Sequence, residues 1–128
     1  MFAPLNFLTS AGTRAVSVCC ALALAGCNAL GSSQTSDAQK RGADLIIANG
    51  CGTCHSIPGI TGARGNVGPP LDKIGTRVFI AGMLRNTPDN MVRWLKNPQA
   101  IIPGNAMPDM KLNDAQARDI TAYLAELQ

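Results

Sequence analysis

One pentad constrains this chain more than any other feature: CGTCH, from Cys51 to His55. Two thiols are separated by two small residues, and an imidazole follows at once. Three chemistries use such an arrangement: a disulfide switch, half of a zinc site, or covalent attachment of a haem. A structural zinc ion usually takes four protein ligands, but there is no second CxxC and His55 is the only histidine. A thioredoxin-like redox pair is expected in a βαβ context, and no such pattern surrounds the pentad.

The other cysteines are accounted for near the N-terminus. From Ala15 to Ala25 the chain is apolar (AVSVCCALALA) after Arg14. That run is shorter than the ~20 residues a membrane-spanning helix needs, and it has the layout of an export signal. It ends in LAGC, Leu24 to Cys27, which resembles the lipobox of bacterial lipoproteins. The resemblance implies removal of residues 1–26 and acylation of Cys27. The plainer alternative is cleavage at Ala23-Leu24-Ala25, which releases a soluble periplasmic protein. Residues 27–38 are small and polar, a tether whose reach grows as about 5–6 Å times the square root of its length. Cys19 and Cys20 leave with the signal and Cys27 takes the lipid. Cys51 and Cys54 are the remaining thiols of a domain spanning residues 39–128.

An exported domain whose remaining thiols form CxxCH points to haem c. Both thiols add to the vinyl groups on one side of the porphyrin, and the adjacent imidazole becomes an iron ligand. Gly52 and Thr53 are small enough to let the backbone lie against the ring edge. Composition agrees. After residue 30 the aromatic side chains are Phe79, Trp94 and Tyr123, little bulk for a small core, so a cofactor is expected to supplement it. The formal net charge of +3 does not suggest a nucleic-acid partner.

From about Gln39 to the C-terminus the sequence resembles the class I cytochromes c. VGPPLDKIGTR, Val67 to Arg77, is similar to that family's Gly-Pro-x-Leu segment with an arginine eight positions after the proline. The resemblance implies that the Pro69 carbonyl accepts a hydrogen bond from His55, fixing the ring and raising its basicity. It also implies that Leu71 packs on the haem face and that Arg77 approaches a propionate. WLKNPQAIIPGNAMPDM, Trp94 to Met110, resembles the run ending in the family's Pro-Gly-x-x-Met loop. Met107 falls on the distal-ligand position, with Met110 as the alternative. Met83 and Met91, in apolar runs, are read as core filler. Trp94 stands where many relatives have a tyrosine lining the distal pocket. Asn105 and Ala106 stand where some mitochondrial relatives have a lysine, so docking is expected to be less salt-dependent.

The expected fold class is all-α, with three main helices and loops wrapped around one covalent haem c. A first helix is expected over 38–49, following Ser36-Asp37 and ending at Gly50. A middle helix is capped by Thr87 and stops before Asn97-Pro98. A last helix runs over 114–127, with Asn113 and Gln116 forming a capping box. Its apolar stripe is Ala117, Ile120, Tyr123, Leu124 and Leu127, and the resemblance implies that Tyr123 lies over Gly42. The VFIAG run could pass for a short strand, but no sheet of consequence is expected.

The function implied is one-electron transfer in a periplasmic respiratory chain, with no catalytic residues. The carboxylates Asp72, Asp89 and Asp109 are scattered without an evident pair. The partners implied are an electron donor and a terminal oxidase or reductase, reached from a membrane through the lipid anchor, with a monomer as the default state. Two alternatives remain at this level. One is a haem enzyme or gas sensor with a displaceable methionine. The other is a cytochrome subunit of a larger oxidoreductase or oxidase complex.

Overall fold

The computed structural model describes residues 36–128. The expectations for the signal, for Cys27 and for most of the tether therefore lie outside the described residues. Residues 36–48 are helical (α1), so Ser36 and Asp37, expected to precede the helix, already belong to it. A 3-10 turn at Cys51–Thr53 follows, then a long loop and a second 3-10 turn at Ile74–Thr76. Strands β1 (Phe79–Ile80) and β2 (Leu84–Arg85) form an antiparallel hairpin. Helices α2 (Pro88–Lys96), α3 (Pro98–Ile101) and α4 (Asp114–Ala125) complete the chain.

Local chemistry explains most of these boundaries. The Thr87 hydroxyl accepts the Asn90 N–H and Pro88 occupies the first turn of α2, where its missing donor costs nothing. At α4, the Asn113 side chain accepts the Gln116 N–H while the Gln116 side chain accepts the Asn113 N–H. The four-residue α3 was not anticipated. Asn97 closes α2 and also caps α3 by accepting the Ala100 N–H; the Asn97-Pro98 pair that ends one helix begins the next. α4 stops at Ala125, short of the expected Leu127.

α1, α2 and α4 bury their apolar faces in one core. Ile46, Ala117 and Ile120 have 0–1% of their surface exposed, and Met91, Leu95 and Leu124 join them. Fully burying an Ile or Leu contributes about 1.5–3 kcal/mol before chain entropy is subtracted. Thr121 is also buried, with its hydroxyl donating to the Ala117 carbonyl at 2.8 Å. α1 and α4 approach so closely at Gly42 that a Cβ there would fall on the Asp119 carbonyl oxygen. Tyr123 Cβ would be 3.0 Å away, so the crossing of Tyr123 over Gly42 is observed. The Tyr123 hydroxyl continues to the Pro58 carbonyl, to which it donates at 2.7 Å.

The hairpin supplies the strand content of the described residues, apart from an isolated bridge between Ser56 and Arg64. Ala81 and Gly82 both have positive φ, 50° and 72°, the backbone a tight hairpin prefers. Met83 sits at this tip and is 65% exposed. The expectation that it fills the core is therefore wrong: an apolar run does not bury a residue that a reverse turn lifts from the surface. Met91 is buried as expected.

Candidate functional site

The site begins where α1 ends. Gly50 takes a left-handed conformation (φ 66°), which a glycine adopts without steric cost, and turns the chain into the pentad. The Thr53 hydroxyl donates to the Gly50 carbonyl at 2.8 Å, and the His55 N–H donates to the Cys51 carbonyl at 3.0 Å. Cys51 and Cys54 are both free thiols, neither fully buried nor fully exposed. Burial pushes the Cys51 thiol above its ordinary pKa. A reactive, redox-active cysteine has the opposite perturbation, a stabilised thiolate. Among the described residues, no group of three or more His, Cys, Asp or Glu could hold a metal ion, which removes the zinc reading of this segment.

The following loop doubles back on the pentad. Gly65 donates its N–H to the Gly52 carbonyl at 3.0 Å, and Gly68 donates to the Cys54 carbonyl at 2.8 Å. Gly52 also has no room for a side chain on the side of Ala63: a Cβ there would meet Ala63 Cα at 2.7 Å. Gly68 packs closely against the imidazole, where a Cβ would be 2.7 Å from His55 Nδ1. Beside it, Nδ1 of His55 lies 2.7 Å from the Pro69 carbonyl oxygen. A carbonyl only accepts, so Nδ1 carries the proton and Nε2 is the nitrogen with a free lone pair.

The Pro69 segment is itself held. Leu71 donates its N–H to the Ser56 carbonyl at 2.8 Å. Arg77 Nη2 donates to the carbonyls of Pro70 and Asp72, at 2.6 and 2.8 Å. Arg77 thus braces the loop that orients His55 while also lining the cavity beside it.

That cavity, about 480 Å³, takes its wall from both ends of the domain. Cys51, Cys54, His55, Pro69, Leu71 and Arg77 line it from the N-terminal half, and Trp94, Met107 and Met110 from the C-terminal half. Ile46, Ile57, Leu95 and Ile120 supply apolar lining from the core. All eight sequence-derived candidates among the described residues meet in one place. Sequence reasoning missed Ile57, Ile80 and Phe79 as wall residues; their apolar character was the available signal, but nothing in the spacing gave their direction. The volume is typical of a cofactor-sized site. Two free thiols beside an oriented imidazole, with thioethers in the same apolar wall, are the donor set a covalent haem requires.

Comparison with known proteins agrees with this geometry. The family model described as Cytochrome c matches residues 39–128. Cytochrome c oxidase subunit 2 of Alkalihalophilus pseudofirmus is 36% identical over 92 residues, 70% of this chain and 25% of that protein. The subunit 2 proteins of Bacillus subtilis and Bacillus sp. strain PS3 are 33% and 30% identical, over 76% and 66% of this chain. The chain spans about a quarter of the length of these relatives, 25–28%. No solved structure matches. Among the described residues, no helix is long and apolar enough to cross a membrane.

Proposed function

Because this chain belongs to the cytochrome c family, we propose that it is a one-electron carrier whose single haem c is bonded covalently to Cys51 and Cys54. The bound haem supplies a reversible ferric–ferrous couple. With the haem in place, His55 would supply Nε2 and Met107 its thioether to the iron. A thioether opposite histidine favours the ferrous state and raises the potential. Pro69 holds the imidazole in one tautomer and one orientation, and Arg77 holds the Pro69 loop. Leu71 and Trp94 keep water from the cavity wall. No side chain performs acid–base or nucleophilic work.

The observation that carries this reading is the His55–Pro69 hydrogen bond in a cavity that also contains both free thiols and Met107. The visible spectrum of the haem-loaded protein, with and without carbon monoxide, tests it. The expected result is a low-spin spectrum with histidine–methionine character that carbon monoxide does not perturb. A high-spin spectrum with ready carbon monoxide binding means a free iron face and favours an enzyme or sensor.

The proposed setting is extracytoplasmic, with residues 1–26 removed and the domain tethered through a lipid on Cys27. The similarity to oxidase subunit 2 proteins supports a terminal oxidase as electron acceptor, reached either by a tethered carrier or by a cytochrome domain that belongs to the complex. Rapid oxidation of the ferrous protein by a membrane oxidase is the expected outcome. No acceleration over buffer refutes that assignment.

A further inference from the structure

The loop that carries Met107 has almost no backbone structure of its own. Between α3 and α4 the described backbone–backbone hydrogen bonds include Asn105 N–H to the Ile102 carbonyl at 3.2 Å, but none from Met107. Both polar groups of the Met107 backbone are nonetheless engaged, each by a side-chain amide. Asn105 Oδ1 accepts the Met107 N–H at 2.8 Å, and Gln99 Nε2 donates to the Met107 carbonyl at 2.9 Å.

The same two amides tie the loop to α3. Gln99 Nε2 also donates to the Asn105 carbonyl at 2.9 Å, and its Oε1 accepts the Gly104 N–H at 3.0 Å. Asn105 Nδ2 donates to the carbonyls of Ile102 and Pro98, at 2.6 and 3.1 Å. Both side chains are part-buried, so their bonds face limited competition from water. Each uses both amide ends at once, which a methylene or carboxylate side chain cannot do. Around Met107 the loop is therefore held by two side-chain amides rather than by backbone hydrogen bonds of its own.

We propose that Gln99 and Asn105 form an amide clasp that sets how firmly Met107 is held in the cavity, and so sets access of small molecules to the position Met107 occupies. Gln99 is a positioning residue. It acts through the Met107 backbone and lies outside the cavity wall. This rests on the assignment of Met107 as an axial ligand. It adds that the strength of that ligation is adjustable from a residue outside the binding cavity.

The test uses the haem-loaded full chain and carbon monoxide as probe, with Gln99→Leu, Gln99→Glu and Met107→Ala made in parallel. Gln99→Glu keeps the length and the acceptor but loses both donors, so it carries the test if Gln99→Leu does not fold. Loss of a hydrogen bond or two is expected to tighten carbon monoxide binding roughly tenfold relative to wild type, while far-UV circular dichroism stays unchanged. In wild-type protein, native-state hydrogen exchange is expected to show the Met107 amide exchanging at least about tenfold more slowly than its exposed neighbour Ala106.

If wild type binds carbon monoxide as readily as Met107→Ala, the ligand assignment fails, and the clasp loses its role with it. If wild type excludes the gas, Met107→Ala admits it and both Gln99 variants behave as wild type, the clasp alone is overturned. A Met107 amide that exchanges as fast as that of Ala106 overturns the Asn105 half.

Discussion

Replacing Gly42 with alanine adds one methyl group where α1 and α4 touch. The new Cβ falls on the Asp119 carbonyl oxygen, 2.8 Å from the Asp119 carbonyl carbon and 3.0 Å from Tyr123 Cβ. These obstacles are mostly backbone, so no rotamer change relieves them and the helices must separate. Overpacking of this kind costs about 1–3 kcal/mol, and the upper end applies because Ile46, Ala117 and Ile120 next to the contact have no spare surface. Alanine returns about 1 kcal/mol of helix propensity. The expected net loss is about 2 kcal/mol, or roughly 8–16 °C in Tm for a domain of this size. Thermal melting of the haem-loaded protein, followed by circular dichroism, measures it. A Tm equal to or above wild type refutes the close approach, since propensity alone predicts a rise.

Tyr123→Phe removes the donor to the Pro58 carbonyl and is expected to cost about 1 kcal/mol in denaturant unfolding, with the spectrum unchanged. Asn113→Ala breaks the capping box of α4, and a similar loss of about 1 kcal/mol is expected from chemical denaturation. The hydrogen bond from Arg41 holds the Asp119 carboxyl below the usual range. Its stabilisation is complete above the unfolded-state carboxyl pKa and is lost as pH falls through the lower folded value. Asp119→Asn is therefore expected to flatten the acid limb of a Tm–pH curve, and an unchanged limb counts against it. The double variant Cys51→Ala, Cys54→Ala, prepared without haem, is expected to lose cooperative melting, because the cavity of about 480 Å³ interrupts a small core. A sharp transition with native helicity overturns that expectation.

Some of this was legible in the linear chain because it depends on neighbours in sequence. The pentad, the Asn113–Gln116 box and the Thr87-Pro88 start of α2 each act over a few residues, and each stands where the sequence put it. The bond between Pro69 and His55 came from the family resemblance rather than from spacing, and the glycine-rich residues between them allow the chain to fold back. What escaped depends on distant partners. Gly52 answers to Ala63, a contact that no local pattern announces. Arg77 engages backbone carbonyls, a role its charge does not suggest. Gln99 gave no signal at all, because a side-chain amide carries no sign of which carbonyls it will reach.

The contact between α1 and α4 also imposes an order in time. Arg41 and Asp119 form a bidentate ion pair across 78 positions of chain, and the pentad sits inside that span. Synthesis runs from the N-terminus, so Cys51 and Cys54 emerge while α4 does not yet exist. During that interval α4 cannot yet close the domain around them. Once Asp119 meets Arg41, the finished domain surrounds them.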